Sequence, residues 1–323
     1  MPATRAAGPH GGEDHVTPIS RELLAPSLDR FGRSLTLPAA AYTDRSVFRW
    51  EQKHFFDEAW VCDGRTGPES ARKGRVVEWN GWSFVNAGGD APPFEDHVGN
   101  LGDLLRNYDC ADLVVGPRHD YEISANWKIL AENYHECYHC SSIHPELCEV
   151  SPPTSGGDNL EPEGAWIGGP MNLYEGVETM SLDGKSHAPL LPNLEEGQDR
   201  TVHYFQLFPN LLISPHPDYV MTHRLVPLAP NRTAVECEWL FSREAAERED
   251  FDPSYASDFW DITNRQDWHA CESVQRGASS RGYRQGPLSP REDAVYQLIT
   301  MVANGYLEAK VSRPASRVAE TPV

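Results

Sequence analysis

The chain has 323 residues, 39% of them hydrophobic, and a formal net charge of −20 at pH 7. This length allows a complete hydrophobic core in one large domain or two. The acidic excess argues against nucleic acid or an anionic membrane surface as a partner. No stretch approaches the ~20 consecutive apolar residues of a membrane-spanning helix, and the first fifteen residues do not resemble a signal peptide.

The cysteines indicate the redox setting. There are seven, an odd number, and they lie among charged and apolar neighbours without a regular spacing. This pattern favours free thiols in a reduced, cytoplasmic setting over a disulfide-linked scaffold. Cys137, Cys140 and Cys148 could suggest structural zinc, but a histidine that is assigned to a different metal site lies within the C-x-x-C pair.

The N-terminal third of the sequence predicts a loosely ordered segment, followed by a helix and a β-hairpin. Residues 1–38 are rich in glycine, proline and charge, so we expect them to be loosely ordered. Thr43 or Asp44 can cap a helix that runs through the apolar positions that follow. The Asn80-Gly81 pair is a strong signal for a two-residue turn and predicts a hairpin between the strand-like residues on either side.

The rest of the sequence predicts an antiparallel sheet with helices before and after it. Residues 152–199 combine proline, glycine and charge, and we expect long loops over a pocket. Val235, Cys237, Trp239 and Phe241 alternate with polar residues and should face inward. Strands are expected over 202–208, 211–214, 219–228 and 234–242, and helices over 94–108, 255–277 and 289–307. Helices at both ends of such a sheet indicate an α+β fold.

The densest group of functional side chains is Asn133, Glu136, His139 and His144, within twelve residues. Three-residue steps put the first three on one helical face. The two histidines are about 140° apart on a straight helix, so they can share a metal only if the helix breaks, as the following Pro145 favours. Two imidazoles and a distant carboxylate form an open Fe(II) site. The alternative is a buried amphipathic helix with incidental histidines.

The third ligand is expected to be Asp267, because it lies in the middle of a core-facing helical stripe. The other members of that stripe are Trp260, Thr263, Ala270, Cys271 and Val274. An ionised carboxylate there costs several kcal/mol unless it is paired or bound to a metal. Asp261 is the fallback ligand and His269 a further candidate. The simpler alternative is a buried ion pair of Asp267 with Arg265 or Arg291.

These residues carry a resemblance to a known family. The stretch ENYHECYHCSSIHPEL, residues 132–147, resembles the catalytic domain of Rieske-type non-heme iron oxygenases, the aromatic ring-hydroxylating oxygenase α subunits. It is most similar to the branch that acts on quaternary ammonium compounds such as choline, glycine betaine, carnitine and stachydrine. The stretch NRQDWHACESVQRG is similar to the part of the family that supplies the iron carboxylate.

The resemblance implies a fold and a ligand set. The fold would be a helix-grip (START-like) catalytic domain, with an antiparallel sheet packed by helices. A mononuclear Fe(II) would be held by His139, His144 and Asp267. Asn133 would be a polar group beside the metal, and Glu136 would occupy the position of the acid that carries electrons between subunits.

The family also needs a Rieske [2Fe–2S] cluster, which is held by C-x-H and C-x-x-H motifs. Only Cys137-Tyr138-His139 fits the first motif, no cysteine fits the second, and the cluster is therefore not supported by this sequence. Residues 55–65 resemble the segment that enters the cluster domain, and 76–93 resemble the segment that leaves it. We therefore interpret the chain as a loose segment (1–38), a helix and truncated Rieske remnant (39–108), the iron-binding domain (109–310) and a tail (311–323).

The expected function follows the family. A small aromatic or quaternary ammonium substrate would be hydroxylated or N-demethylated with O₂, with electrons from a reductase or a full-length homologous subunit, in a homotrimer. Autonomous activity is not expected without the cluster. The alternatives are a non-catalytic ligand- or metal-binding pseudoenzyme or regulatory subunit, and an iron enzyme that takes its electrons from the substrate or a cosubstrate.

Aromatic residues near the predicted loops and strands could line the pocket and attract a trimethylammonium group by cation–π interaction. The candidates are Trp166, Tyr174, Tyr204, Phe205 and Tyr219. Ordinary core packing is the commoner explanation for each of them singly.

Overall fold

The computed structural model describes residues 17–66, 74–156 and 160–316. The strands are β1 (Val61–Arg65), β2 (Arg75–Trp79), β3 (Trp82–Asn86), β4 (Val114–Ile123), β5 (Trp166–Asn172), β6 (Thr201–Leu207), β7 (Leu211–Pro215), β8 (Tyr219–Ala229) and β9 (Arg232–Phe241). The helices are α1 (Arg21–Leu24), α2 (Ala39–Thr43), α3 (Arg45–Glu51), α4 (Phe94–Val98), α5 (Leu101–Leu105), α6 (Trp127–Tyr134), α7 (Cys140–Ile143), α8 (Pro145–Val150), α9 (Arg243–Ala246), α10 (Ser254–Ala278) and α11 (Asp293–Glu308). Across these ranges no helix is long and apolar enough to cross a membrane.

The larger sheet has six antiparallel strands in the order β4-β9-β8-β7-β6-β5. The four alternating residues predicted to face inward from β9 are each at most 1% exposed. Leu225 of β8 and Val235 of β9 share one apolar cluster with Cys271 of α10 and Ile299 of α11. The prediction of an α+β fold, with an antiparallel sheet packed by helices, is therefore confirmed.

The smaller sheet has three strands in the order β1-β3-β2. Asn80 and Gly81 both have positive φ, +48° and +84°, so the predicted two-residue turn joins β2 to β3. Asn210, which precedes β7, ties this sheet to the larger one. Its Oδ1 accepts from the backbone N of Cys62 at 3.0 Å, and its Nδ2 donates to the carbonyl of Cys62 at 2.9 Å. The cap prediction is also confirmed, since Asp44 accepts from two backbone N–H groups at the start of α3.

Two predictions about helical and loose segments are wrong in part. Residues 1–16 lie outside the described residues, but from residue 17 the chain packs on the core, with Leu24 and Leu37 fully buried. These isolated apolar residues are too widely spaced to produce a periodic pattern. The expected helix over 94–108 is two short helices, because Gly99 adopts φ +54° and ends α4.

Strands β1, β4 and β5 were not expected from the sequence. β4 contains a glycine, a proline and four charged or histidine residues, and β5 lies inside the segment expected to form loops. β5 contains two glycines and a proline, which mask its strand character. A Cβ on Gly168 would lie 1.9 Å from the carbonyl oxygen of Tyr204, so glycine allows β5 to pair closely with β6.

A buried ion pair anchors α6, the helix that leads into the candidate site. Lys128 and Glu51 are both fully buried, with Nζ 2.7 Å from Oε1. Trp127 donates its indole N–H to the same carboxylate at 3.0 Å, and the hydroxyl of Tyr306 also donates to it. One carboxylate from α3 therefore holds α6 and α11 together, and the N-terminal end of α6 is fixed.

Replacing this lysine should destabilise the protein strongly. Lys128→Met leaves the Glu51 carboxylate buried without its cation, so we expect a loss of about 3–5 kcal/mol in the free energy of unfolding. Urea denaturation followed by circular dichroism measures it. Lys310→Met is the control, since Lys310 pairs with Glu308 on the surface, and an exposed pair contributes at most about 1 kcal/mol. Equal losses in the two variants would contradict a structural role for the buried pair.

Candidate metal centre

Helical structure is interrupted between α6 and α8, which is the interruption that His139 and His144 need in order to share a metal. α6 ends at Tyr134, His139 precedes α7, and His144 lies between α7 and α8, with Pro145 as the first residue of α8. The two imidazoles consequently face each other, with their Nε2 atoms 3.1 Å apart. The predicted common helical face is wrong for Glu136 and His139, because both lie beyond the end of α6.

Asp267 projects from the middle of α10 toward this pair. Its Oδ1 lies 3.0 Å from Nε2 of His144 and 3.3 Å from Nε2 of His139. The carboxylate is only 16% exposed. The three side chains expected to hold a metal are thus brought together from two distant parts of the sequence.

The other candidate ligands, Asp261 and His269, do not face the two imidazoles. Asp261 accepts from the hydroxyl of Tyr121 and from the guanidinium of Arg265, each at 2.7 Å. Arg265 therefore pairs with Asp261, one turn earlier on α10, and not with Asp267. His269 is exposed.

Hydrogen bonds orient each of the three side chains. Nδ1 of His144 lies 2.7 Å from Oε1 of Gln266, and Nδ1 of His139 is bonded to Oε1 of Glu136. Because both partners are acceptors, each Nδ1 carries a proton, and each Nε2 is the ring nitrogen left for a metal ion or, without one, for a second proton. Asn133 donates from Nδ2 to Oδ1 of Asp267 at 2.7 Å. The predicted positions of Asn133 and Glu136 beside the site therefore correspond to observed contacts.

Electrostatics couple His139 to the two acids. Burial opposes protonation of His139, but hydrogen bonds to Asp267 and Glu136 outweigh it and raise the pKa of His139 to about 10. Burial likewise opposes ionisation of Asp267, yet hydrogen bonds from His139 and His144 lower its pKa to about 2. Without a metal, the group therefore holds a proton near neutral pH. A divalent cation binds in competition with that proton.

The donor set fits a divalent iron. Two imidazole nitrogens and one carboxylate oxygen are the three-ligand set of non-heme Fe(II) sites. Three ligands at right angles and about 2.0–2.2 Å from a metal are about 3 Å from one another. The observed separations of 3.0, 3.1 and 3.3 Å agree with this.

Cys137 and Cys140 are joined in a disulfide, whereas the sequence predicted reduced cysteines. The other five cysteines are free thiols. The pair is three residues apart and encloses His139, so its proximity comes from the local turn and not from a repeating cysteine frame. The sulfur of Cys140 and one nitrogen each of His139 and His144 lie within 4.8 Å of one another. In the disulfide this sulfur carries no thiolate and is not a metal ligand.

A cavity of about 110 Å³ adjoins the three side chains. Its aromatic lining includes Tyr134, Tyr138, Tyr204, Trp260 and Trp268, and its polar lining includes His223, Asn264 and Arg291. Of the five aromatic residues considered from the sequence, Tyr204 lines the cavity. Trp166, Phe205 and Tyr219 are fully buried in apolar clusters, and Tyr174 is 41% exposed.

Sequence reasoning missed several residues around the site. Gln266 orients His144 and in turn donates to Oε2 of Glu146 at 3.0 Å. The only sequence feature that could have identified Gln266 was its position next to Asp267. His135 is buried, and its Nε2 is hydrogen-bonded to Oε1 of Gln206 at 3.2 Å. No periodic pattern identifies it, because α6 ends before it.

Comparison with known proteins establishes the family. The model of the ring-hydroxylating α subunit (catalytic domain) matches residues 110–308, and the chain belongs to this family. The glycine betaine monooxygenase oxygenase subunit of Chromohalobacter salexigens is 30% identical over 66% of this chain and 54% of its own length. The carnitine monooxygenase oxygenase subunit of Escherichia coli K12 is 28% identical over 65% of this chain and 53% of its own length. The chain thus spans about half the length of the curated relatives it matches.

Solved structures share the fold. A quaternary ammonium Rieske monooxygenase in complex with an inhibitor matches with a TM-score of 0.71 at 18% identity, covering 89% of this chain and 98% of that one. Naphthalene 1,2-dioxygenase from Rhodococcus sp. matches with a TM-score of 0.61 at 14% identity, covering 89% and 95%. At these identities the similarity concerns the fold alone.

Proposed function

We propose that this chain binds one Fe(II) through His139, His144 and Asp267, and that it acts on a small quaternary ammonium substrate. The family reaction would be O₂-dependent hydroxylation or N-demethylation. The observation that carries the proposal is the convergence of three donor atoms within 3.3 Å of one another. A carboxylate that is only 16% exposed needs a positive charge beside it, and a divalent metal bound to the same two Nε2 atoms would supply that charge in place of the proton.

The surrounding residues would prepare the site for its chemistry. Bound iron supplies the capacity to activate O₂. Glu136 and Gln266 keep the two imidazoles in the tautomer that presents Nε2. Asn133 holds the carboxylate of Asp267 in place by donating to Oδ1. The aromatic residues of the cavity lining would border a substrate bound beside the metal.

The cavity chemistry supports a zwitterionic, trimethylammonium-bearing substrate. Tyr204, Trp260 and Trp268 line the cavity, and an aromatic ring whose face meets a quaternary ammonium attracts it by about 0.5–2 kcal/mol. Arg291 lines the same cavity and could pair with a substrate carboxylate. The two curated relatives are named for glycine betaine and carnitine, which carry both groups. We extend that substrate class to this chain.

The source of electrons is the second part of the proposal. No C-x-x-H motif exists in the sequence. β1 and β2 pair with the same strand, β3, and only residues 66–74 connect them. A connection of this length is too short for a cluster domain, which supports loss of that domain as a block. A reductase or a full-length homologous subunit, in a trimer, would then deliver electrons to the iron past Glu136.

A non-catalytic role is the second candidate. The missing cluster motif favours it, because two-electron reduction of O₂ then has no route within one chain. Such a protein would retain metal or ligand binding as a regulatory subunit. The two roles make the same prediction for metal binding and differ in turnover with a full-length partner subunit.

Metal content tests the ligand set. Purified protein loaded anaerobically should hold about one Fe(II) per chain and show no [2Fe–2S] absorption, because the three-ligand site is complete and the cluster motif is absent. His139→Ala and Asp267→Ala should each reduce the iron to near zero in elemental analysis. Asp261→Asn is the matched control, from the same helix, and should keep the wild-type content.

Two results would contradict the proposed ligand set or the absence of a cluster. Unchanged iron in Asp267→Ala would remove that residue from the ligand set. A brown protein with a reduced-cluster resonance in electron paramagnetic resonance would show that a cluster is present after all.

Ligand binding tests the substrate class. Glycine betaine or carnitine should bind the metal-loaded protein in calorimetry, and Trp260→Leu should weaken binding about 2- to 30-fold through loss of one ring face. Tyr174→Leu is the control, because Tyr174 is exposed and lies outside the cavity lining. A neutral tert-butyl analogue that binds as tightly as the ammonium compound would exclude cation–π recognition.

A further inference from the structure

The Cys137–Cys140 disulfide lies directly against the candidate metal ligands. His139 is enclosed between the two cysteines, and Cys140 is the first residue of α7. The sulfur of Cys140 lies within 4.8 Å of a ring nitrogen of both His139 and His144. A disulfide sulfur does not bind metals well, but a thiolate is a strong ligand for soft divalent ions.

We propose that reduction of this disulfide converts the site into one for a thiophilic divalent metal, Zn(II) or Co(II), held by Cys140, His139 and His144. The inference rests on the proposed function in so far as it uses the same two imidazoles. With the disulfide intact, the donor set is two nitrogens and one oxygen, which suits Fe(II). With the disulfide reduced, a sulfur joins them, which favours zinc.

The required movement is small. Zn–S and Zn–N bonds of about 2.3 and 2.0–2.1 Å place sulfur and nitrogen ligands about 3.5 Å apart in a tetrahedral site. The present atoms are within 4.8 Å. Release from Cys137 frees the Cys140 side chain to rotate about its Cα–Cβ bond, which moves the sulfur by an ångström or more without moving α7.

The exposure of the two sulfur-bearing residues sets the direction of the exchange. Both cysteines line the cavity, but Cys137 is half-buried, whereas Cys140 is only 3% exposed. A thiolate of an external dithiol attacks the sulfur of Cys137, forms a mixed disulfide and releases Cys140 as the thiolate beside the imidazoles. The second sulfur of the reductant then displaces Cys137 and leaves as a disulfide. Two electrons and two protons pass to the protein, and metal binding returns the Cys140 proton to solvent.

Co(II) is the probe, because its visible bands report binding and a near-ultraviolet charge-transfer band reports a thiolate ligand. We expect Co(II) to bind the oxidised protein without the charge-transfer band, and we expect the band to appear once the protein is reduced with dithiothreitol. Zn(II) affinity should rise about tenfold or more on reduction, because zinc prefers the sulfur ligand.

Three variants test whether the sulfur of Cys140 is the ligand that produces this band. Cys137→Ser leaves Cys140 permanently unpaired and should show the band without any reductant. Cys140→Ser should never show it. Cys148→Ser is the matched control, since Cys148 is a free, half-buried thiol in the same segment and donates to the carbonyl of Cys140, and it should behave as wild type.

The possible outcomes separate this inference from the proposed iron site. Co(II) binding in both redox states with no charge-transfer band would overturn the thiolate ligand and leave the iron site standing. A band that appears only on reduction, with no metal bound before it, would support the thiolate site and contradict the proposed function. Loss of the band in Cys148→Ser, or alkylation showing that Cys137 and Cys140 are free without reductant, would overturn the inference.

Discussion

The site depends on one buried carboxylate. α10 places Asp267 on the face that packs against the rest of the protein, where an ionised acid is costly unless it is compensated. Compensation comes from Nε2 of His139 and His144 and from the amide of Asn133, all within 3.3 Å. A shared divalent cation would replace the bound proton and bind the two Nε2 atoms and the carboxylate of Asp267 at once.

The ligands converge because the backbone is non-helical between α6 and α7, while the start of α6 is held firmly in place. The chain leaves helical geometry after Tyr134 and resumes it at Cys140, which turns His139 toward His144. Rigidity comes from the buried pair of Lys128 and Glu51, which fixes the start of α6. Only a short irregular stretch therefore separates an anchored helix from the two ligands. The disulfide joins Cys137, within that stretch, to Cys140 at the start of α7, and it therefore lies directly beside His139.

Much of this arrangement could be predicted from the sequence, and the reasons are specific. The spacing of His139 and His144 requires a helix break if they share a metal, and Pro145 marks it. Asp267 was identifiable because an acid in an apolar stripe is unusual. The role of Gln266 and the burial of His135 depend on contacts with elements far along the chain. Strand β5 was missed for the same reason: its Gly168 is explained only by the close approach of β6.

The central claim is that one metal ion is held jointly by two imidazoles and one acid. Crystals of the protein grown with Fe(II) under anaerobic conditions, measured at the iron absorption edge, test it most directly. The account predicts one anomalous peak about 2.0–2.2 Å from Nε2 of His139, Nε2 of His144 and a carboxylate oxygen of Asp267. A peak bound to other residues, or none at this place while the carboxylate stays hydrogen-bonded to the imidazoles, would contradict it.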